Sequence, residues 1–304
     1  MKNFLSIESC SREYIESLIC SAEELKESRE SGDYGAQPLK NQCWGIIFSK
    51  ASTRTRLSFE VGIRELGGSA LFLSPRDLQL GRGEPIKDTA RVMGRMLHGA
   101  IIRNDSQVEV ESFAEYSKLP TINALTDLEH PCQIIADLLT IKETKGTWDN
   151  KKIVFLGDVN CNVAHSWVWA AEKLGFELIL SGPSGICSPL EYLNKIDSSQ
   201  SKYIEDPKDA VKNADVIYTD VWISMGMEDL ADERSGQFND FQINDELILS
   251  SSADPMIMHC LPAYRGKEIT EEVFEKNADI IFNQAENRLH AQKAIMKSLV
   301  DTTS

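Results

Sequence analysis

The chain has 304 residues, 42% hydrophobic and 26% charged, a globular composition with room for two ordinary domains. A formal net charge of −15 works against a nucleic-acid or anionic-membrane surface, so a bound anion must be met by locally clustered cations. No run approaches the roughly 20 consecutive apolar residues of a membrane span. Residues 1–12 carry charges and serines rather than the apolar stretch of a secretory signal.

Residues 12–29 predict an amphipathic helix, stopped at Ser31-Gly32-Asp33. Short apolar runs then alternate with helical patterns: strands over 43–48, 70–73, 100–103 and 121–124, with helices over 54–66, 86–96 and 133–143. Composition breaks at Lys145-Gly146-Thr147-Trp148-Asp149-Asn150, a candidate hinge. Beyond it, strands are predicted over 153–156, 177–180, 216–218, 256–259 and 280–282, helices over 163–174 and 238–249, and a last helix over 284–300. Such alternation implies an α/β protein of two similar-sized domains, each a mainly parallel sheet flanked by helices. The expected domains are 1–145 and 150–283, with 284–304 crossing back to complete the first. There is no internal repeat or low-complexity segment.

The seven cysteines (Cys10, Cys20, Cys43, Cys132, Cys161, Cys187 and Cys260) are odd in number, scattered and free of any Cys-x-x-Cys pair. That pattern fits free thiols in a reducing cytoplasm rather than a disulfide frame or structural zinc site. His259 and Cys260 adjoin in a predicted strand, so alternation points them to opposite faces and away from a shared metal.

Ligands of open parallel sheets bind beyond the carboxyl ends of the strands. At one such end, Ser52-Thr53-Arg54-Thr55-Arg56 leads from a strand directly into a helix. Hydroxyls there can cap the helix, and its free N–H groups point at any anion. Arg54 and Arg56 oppose the helix dipole, an arrangement that suits a phosphate between them. The same residues also read as a capped surface helix with solvated arginines. Arg103 ends the strand over 100–103, and His130-Pro131-Cys132-Gln133 begins another helix, with proline at its first position.

These segments resemble the aspartate/ornithine carbamoyltransferase family: Ser52-Thr53-Arg54-Thr55-Arg56 with Leu57-Ser58-Phe59-Glu60 is similar to its carbamoyl-phosphate loop, and His130-Pro131-x-Gln133 to its second motif. The resemblance implies that Ser52, Thr53, Arg54, Thr55 and Arg56 bind the phosphate, that Thr55, Arg103 and His130 polarise the carbamoyl carbonyl, and that Gln133 holds its amide nitrogen. Cys260, Leu261 and Arg288 are implied as further carbamoyl-phosphate contacts. Gln79, which otherwise reads as a solvated loop residue, is implied to reach the active site of a neighbouring subunit.

Asp220-Val221-Trp222-Ile223-Ser224-Met225-Gly226 and His259-Cys260-Leu261-Pro262-Ala263 resemble the acceptor segments of the ornithine-specific members. Asp220 and Ser224 would take the α-amino group of L-ornithine, and Asn162 and Met225 its α-carboxylate. Without the resemblance, Asn162 reads as a helix cap, Arg288 as a solvated helix residue and Cys260 as a buried apolar side chain. The family implies transfer of the carbamoyl group of carbamoyl phosphate to the side-chain amine of L-ornithine, giving L-citrulline and phosphate in arginine metabolism. Arg103, His130, Asp220 and Cys260 are the expected catalytic residues, with no metal or organic cofactor. The family also implies a homotrimer, with active sites in the interdomain cleft and at the subunit interface. Alternative acceptors are putrescine, N-acylated ornithine and aspartate; Asp220 and the Ser224-Met225-Gly226 run disfavour the first two.

A nucleotide-dependent oxidoreductase would share the strand–helix alternation but needs Gly-x-Gly-x-x-Gly after a strand and an acid about 20 residues on. The corresponding segment is Gly157-Asp158-Val159-Asn160-Cys161-Asn162, with only the first glycine.

Overall fold

A computed structural model describes residues 2–74, 83–222 and 236–301. The chain divides into two units, Met1–Leu139 with Glu286–Ser304, and Thr140–Ala285.

The first unit is built on four parallel strands: β1 (Cys43–Phe48), β2 (Ser69–Leu73), β3 (Gly99–Arg103) and β4 (Thr121–Leu125), ordered β2-β1-β3-β4. Central β3 is buried along its whole length, which is why Gly-Ala-Ile-Ile reads as one apolar run rather than alternating. Strand β2 forms an edge, with its first three residues exposed. The first helices are α1 (Arg12–Glu30), α2 (Thr53–Glu65), α3 (Ile86–Met93), α4 (Gln107–Ser117) and α5 (Pro131–Lys145). Phe4 bridges to Ile122 and runs parallel to β4, attaching the amino-terminal segment to the sheet.

The carboxyl-terminal helix, Ala278–Asp301, packs closely on α2. A Cβ on Gly62 would lie 3.2 Å from both Lys293 Cγ and Met296 Cε, so a glycine is what lets the two helices approach. Lys293 Nζ, nearly buried, bonds Glu65 Oε2 at 2.7 Å and the Leu25 carbonyl at 3.3 Å, and Arg29 Nε bonds Glu65 Oε1 at 2.8 Å. Removing one partner of such a buried pair costs about 3–5 kcal/mol, since the other charge is left uncompensated.

The second unit has five parallel strands, β5 (Lys152–Leu156), β6 (Glu177–Ser181), β7 (Ser201–Tyr203), β8 (Val216–Thr219) and β9 (Met256–His259), ordered β7-β6-β5-β8-β9. Helix α6 (Asn162–Leu174) follows β5. Val154, Leu156, Ile179, Ile217, Ile257 and Phe274 share one core, and each fully buried side chain of this kind contributes roughly 1.5–3 kcal/mol.

Three expectations need correction. Residues 280–282 are not a strand but the first turns of the carboxyl-terminal helix, with Ile281 buried and Phe282 exposed. A short apolar run has no period of its own, so strand and helix start look alike. The expected helix over 238–249 is a 3-10 turn at Gly236–Phe241 followed by a short helix at Asp245–Leu249, which Asn244 caps through the N–H of Leu247. The helix over 86–96 stops at Met93, where a Cβ on Gly94 would fall 2.2 Å from the Ser117 carbonyl oxygen.

Candidate active site

Register gathers the candidate residues of each unit at one sheet edge. In the first, Phe48 pairs with Arg103 and Arg103 with Leu125, so the segments leading to α2 and α5 leave the sheet beside Arg103. In the second, Leu156 pairs with Ser181 and Thr219, and Thr219 with His259, aligning Gly157, Asp220 and Cys260 just past the strand ends.

Ser52 is the N-cap of α2, yet its side chain does not cap the helix. Its hydroxyl instead donates to Thr55 Oγ1 at 2.9 Å, so the expected hydroxyl cap is absent and the first-turn N–H groups keep their capacity for an anion. Buried Thr55 also accepts a hydrogen bond from Arg288 Nη2 on the carboxyl-terminal helix. Buried Arg103 lies in the field of buried Arg288 and half-buried Arg54. Burial first, then Arg288 and Arg54, bring the Arg103 guanidinium down to about 10, against the pull of Asp105. Such concentrated positive charge in a protein of net charge −15 marks an anion site.

Arg56 is turned elsewhere. It is exposed, pairs with Glu60 at 2.8 Å and lies 3.8 Å from the centre of the Phe72 ring. A depression of about 510 Å³ opens there, lined by Phe48, Lys50, Ser52, Thr53, Arg56 and Phe72 among others.

His130 is buried, and burial first, then Arg288 and Arg103, hold its pKa well below the ordinary value. It is therefore a neutral imidazole at neutral pH, with one N–H to donate. Its segment is held by buried Glu129, whose Oε2 accepts the Ile7 N–H at 2.8 Å, and by Thr126, which donates to Gln107 Oε1 at 2.7 Å. One turn along α5, Gln133 Nε2 donates to Asp137 Oδ1 at 2.8 Å. Burial pushes the Cys132 thiol up to about 12, which keeps it protonated and poorly nucleophilic.

In the second unit Asn162 is the first residue of α6, while Cys161 occupies the cap and accepts from the Ala164 N–H. The cap is therefore Cys161 rather than Asn162. Asp220 is half-buried at the end of β8. Desolvation raises its pKa, opposed by His259, by a hydrogen bond from Cys260 and by the Val221 N–H.

Ligating atoms of Asp220, His259 and Cys260 lie within 4.8 Å of one another, nearer than strand alternation allows. The expectation that His259 and Cys260 diverge fails because β9 ends at His259 and Leu261 has a φ of 59°. Both His259 ring nitrogens are engaged, Nδ1 accepting the Leu261 N–H at 2.9 Å and Nε2 facing Glu268 Oε1 at 3.1 Å. His259 therefore braces the turn that presents Cys260 and Leu261.

The structure brings together Ser52, Arg54, Thr55, Arg103, His130 and Arg288 in the first unit, and Asp220 and Cys260 in the second. Gln79, Ser224 and Met225 lie outside the described residues. Sequence reasoning missed Glu129, Asp137 and Glu268; the spacing of Gln133 and Asp137, four apart on one helix face, was the available signal for one of them.

Residues 2–143 match the carbamoyl-P binding domain of aspartate/ornithine carbamoyltransferases, and residues 149–299 match their Asp/Orn binding domain. An ornithine carbamoyltransferase of Akkermansia muciniphila is 52% identical over 303 residues, with 99% of each chain covered, and one of Methanosphaera stadtmanae is 49% identical, with 97% of this chain and 98% of that one covered. The structure of an anabolic ornithine carbamoyltransferase from Campylobacter jejuni superposes with a TM-score of 0.91 at 42% identity over 100% of both chains. The Pyrococcus furiosus ornithine carbamoyltransferase also gives 0.91, at 43% identity over 97% of this chain and 96% of that one. Full-length identity at this level, on a site with this geometry, places the chain in the aspartate/ornithine carbamoyltransferase family.

Proposed function

We propose that the chain transfers the carbamoyl group of carbamoyl phosphate to the side-chain amine of L-ornithine, giving L-citrulline and phosphate. The observation that carries this is the meeting of Arg54, Arg103, Arg288 and neutral His130 around Thr55 and the uncapped start of α2. Ser52, Thr53, Arg54 and Thr55 bind the phosphate, while Arg103 and His130 donate to the carbonyl oxygen as negative charge develops on it. One oxyanion donor of this kind is worth about 2.7–4 kcal/mol.

In the acceptor half, Asp220 and Ser224 receive the α-ammonium of ornithine, Asn162 and Met225 its α-carboxylate, and Cys260 lies beside the attacking amine. A free primary amine has a pKa of about 10.4, so the attacking form is a minority at neutral pH. The neutral amine attacks the carbonyl carbon, a C–N bond forms and the C–O bond to phosphate breaks. The departing phosphate accepts the proton released by nitrogen, so no dedicated side-chain base is required. The full-length likeness to enzymes named ornithine carbamoyltransferase supports the choice of acceptor.

The working form is proposed as a cytoplasmic homotrimer, with Gln79 of one subunit serving its neighbour's site and arginine metabolism as the setting. Among the described residues no helix is long and apolar enough to cross a membrane. Product assays with carbamoyl phosphate and ornithine, aspartate, putrescine or N-acetylornithine test the acceptor. Citrulline from ornithine is expected; turnover with another acceptor and none with ornithine overturns the proposal.

A further inference from the structure

Gln133 and Asp137 are both fully buried, one turn apart on α5, and joined by the 2.8 Å bond from Nε2 to Oδ1. The Asp137 oxygen accepts from the NH₂ end of the amide, which fixes how the Gln133 side chain is turned. The carbonyl end is turned the other way, and buried Gln133 Oε1 has no hydrogen-bond partner among the described residues.

A buried acceptor left open is costly, and such groups persist where a ligand completes them. Gln133 lies in the first turn of α5, which begins just after His130, and its main-chain N–H donates to the His130 carbonyl at 3.0 Å. The charged groups that reach His130, Arg288 and Arg103, are donors. Gln133 Oε1 is an acceptor, suited to a ligand that carries N–H as well as anionic oxygen.

We propose that Asp137 is a positioning residue: it holds the Gln133 amide carbonyl-outward, and so makes the site prefer a carbamoyl phosphate, with its NH₂, over an acyl phosphate of the same shape. This rests on carbamoyl phosphate being the donor substrate.

Phosphonoacetamide and acetonylphosphonate, stable analogues that differ in carrying NH₂ or CH₃ on the carbonyl, are the probes. Calorimetry on the full-length wild-type protein is expected to give at least about tenfold tighter binding of the amide. Asp137→Leu, close in size and without an acceptor, is expected to bring that ratio to about twofold or less through weaker amide binding, with acetonylphosphonate unaffected. Asp137→Ala is a second route to the same loss if the leucine variant does not fold. Asp137→Asn still offers a carbonyl oxygen and is expected to retain an intermediate preference. The wild-type ratio in folded Asp137→Leu or Asp137→Ala protein overturns the role of Asp137, as does equal loss in the Asn and Leu variants, which would assign the effect to charge rather than orientation. If the wild-type protein binds neither analogue, the donor assignment itself fails, and this inference with it.

Discussion

Thr55 and Arg288 are hydrogen-bonded although 233 positions of sequence separate them. The bond is made possible by the tight packing of α2 on the carboxyl-terminal helix at Gly62 and is braced by the Lys293–Glu65 pair. A cation from the end of the chain is thereby placed against a hydroxyl at its first anion-binding turn. Arg288 is held by the protein's own Thr55, so little of its ordering entropy remains to be lost on binding.

Arg54→Ala tests the phosphate assignment. Arg54 is half-buried at the α2 start, and its removal leaves the apolar core untouched. The expected result is a fall in kcat/KM of at least about 10²-fold, with a melting temperature close to wild type. Near-normal turnover in steady-state assays would remove Arg54 from the mechanism.

Asp220 gives a pH signature. Burial raises its pKa above the ordinary carboxylate value, so it becomes protonated at a higher pH than a solvated aspartate does. Only the ionised form attracts the α-ammonium of ornithine. Apparent affinity for ornithine is therefore expected to weaken as pH falls, beginning above the ordinary aspartate range. Asp220→Asn should raise the ornithine KM at neutral pH and abolish that acid limb. A limb that persists unchanged in the variant would assign it to another group.

Much of this was legible because parallel strands buried on both faces leave continuous apolar runs, as in Gly99–Arg103, and because helix starts carry recognisable chemistry at Thr53 and Pro131. Strand β7, Ser201–Tyr203, escaped notice because three largely polar residues at a sheet edge carry no apolar signal. Residues 280–282 misled for the opposite reason: their apolarity serves a helix whose periodic partners come later in the chain. The site residues at strand ends could be located by rule, whereas Asp137 and Glu129 act through partners whose proximity only folding creates.

Acid stability should report on buried histidine. His290 has no exposed side-chain surface, and burial first, then Lys293, lower its pKa from 6.5 to about 4, against the pull of Glu286. The unfolded chain takes up this proton near pH 6.5 and the folded chain only near 4, so the stabilisation is full above 6.5 and is lost as pH falls through that window. Buried His130, also lowered, adds in the same direction. His290→Gln is expected to flatten the fall in melting temperature between pH 6.5 and 4; an identical slope in the variant would remove His290 as its source.

The proposed sharing of active sites between subunits makes a quantitative prediction. If a site takes Arg54 from one subunit and Gln79 from the next, Arg54→Ala and Gln79→Ala homotrimers each lack a complete site. Unfolded together in equal amounts and refolded, they form mixed rings in which some sites draw Arg54 from the Gln79→Ala chain and Gln79 from the Arg54→Ala chain. For random assembly around a closed ring, about one quarter of the sites regain both residues. Citrulline formation should accordingly recover toward about one quarter of a wild-type sample refolded the same way, peaking at equal mixing. Sedimentation of the wild-type protein should show a particle three chains in mass. Mixed samples that never exceed the average of their two parents would place Gln79 and Arg54 in sites built from one chain, and the shared-site trimer would have to be abandoned.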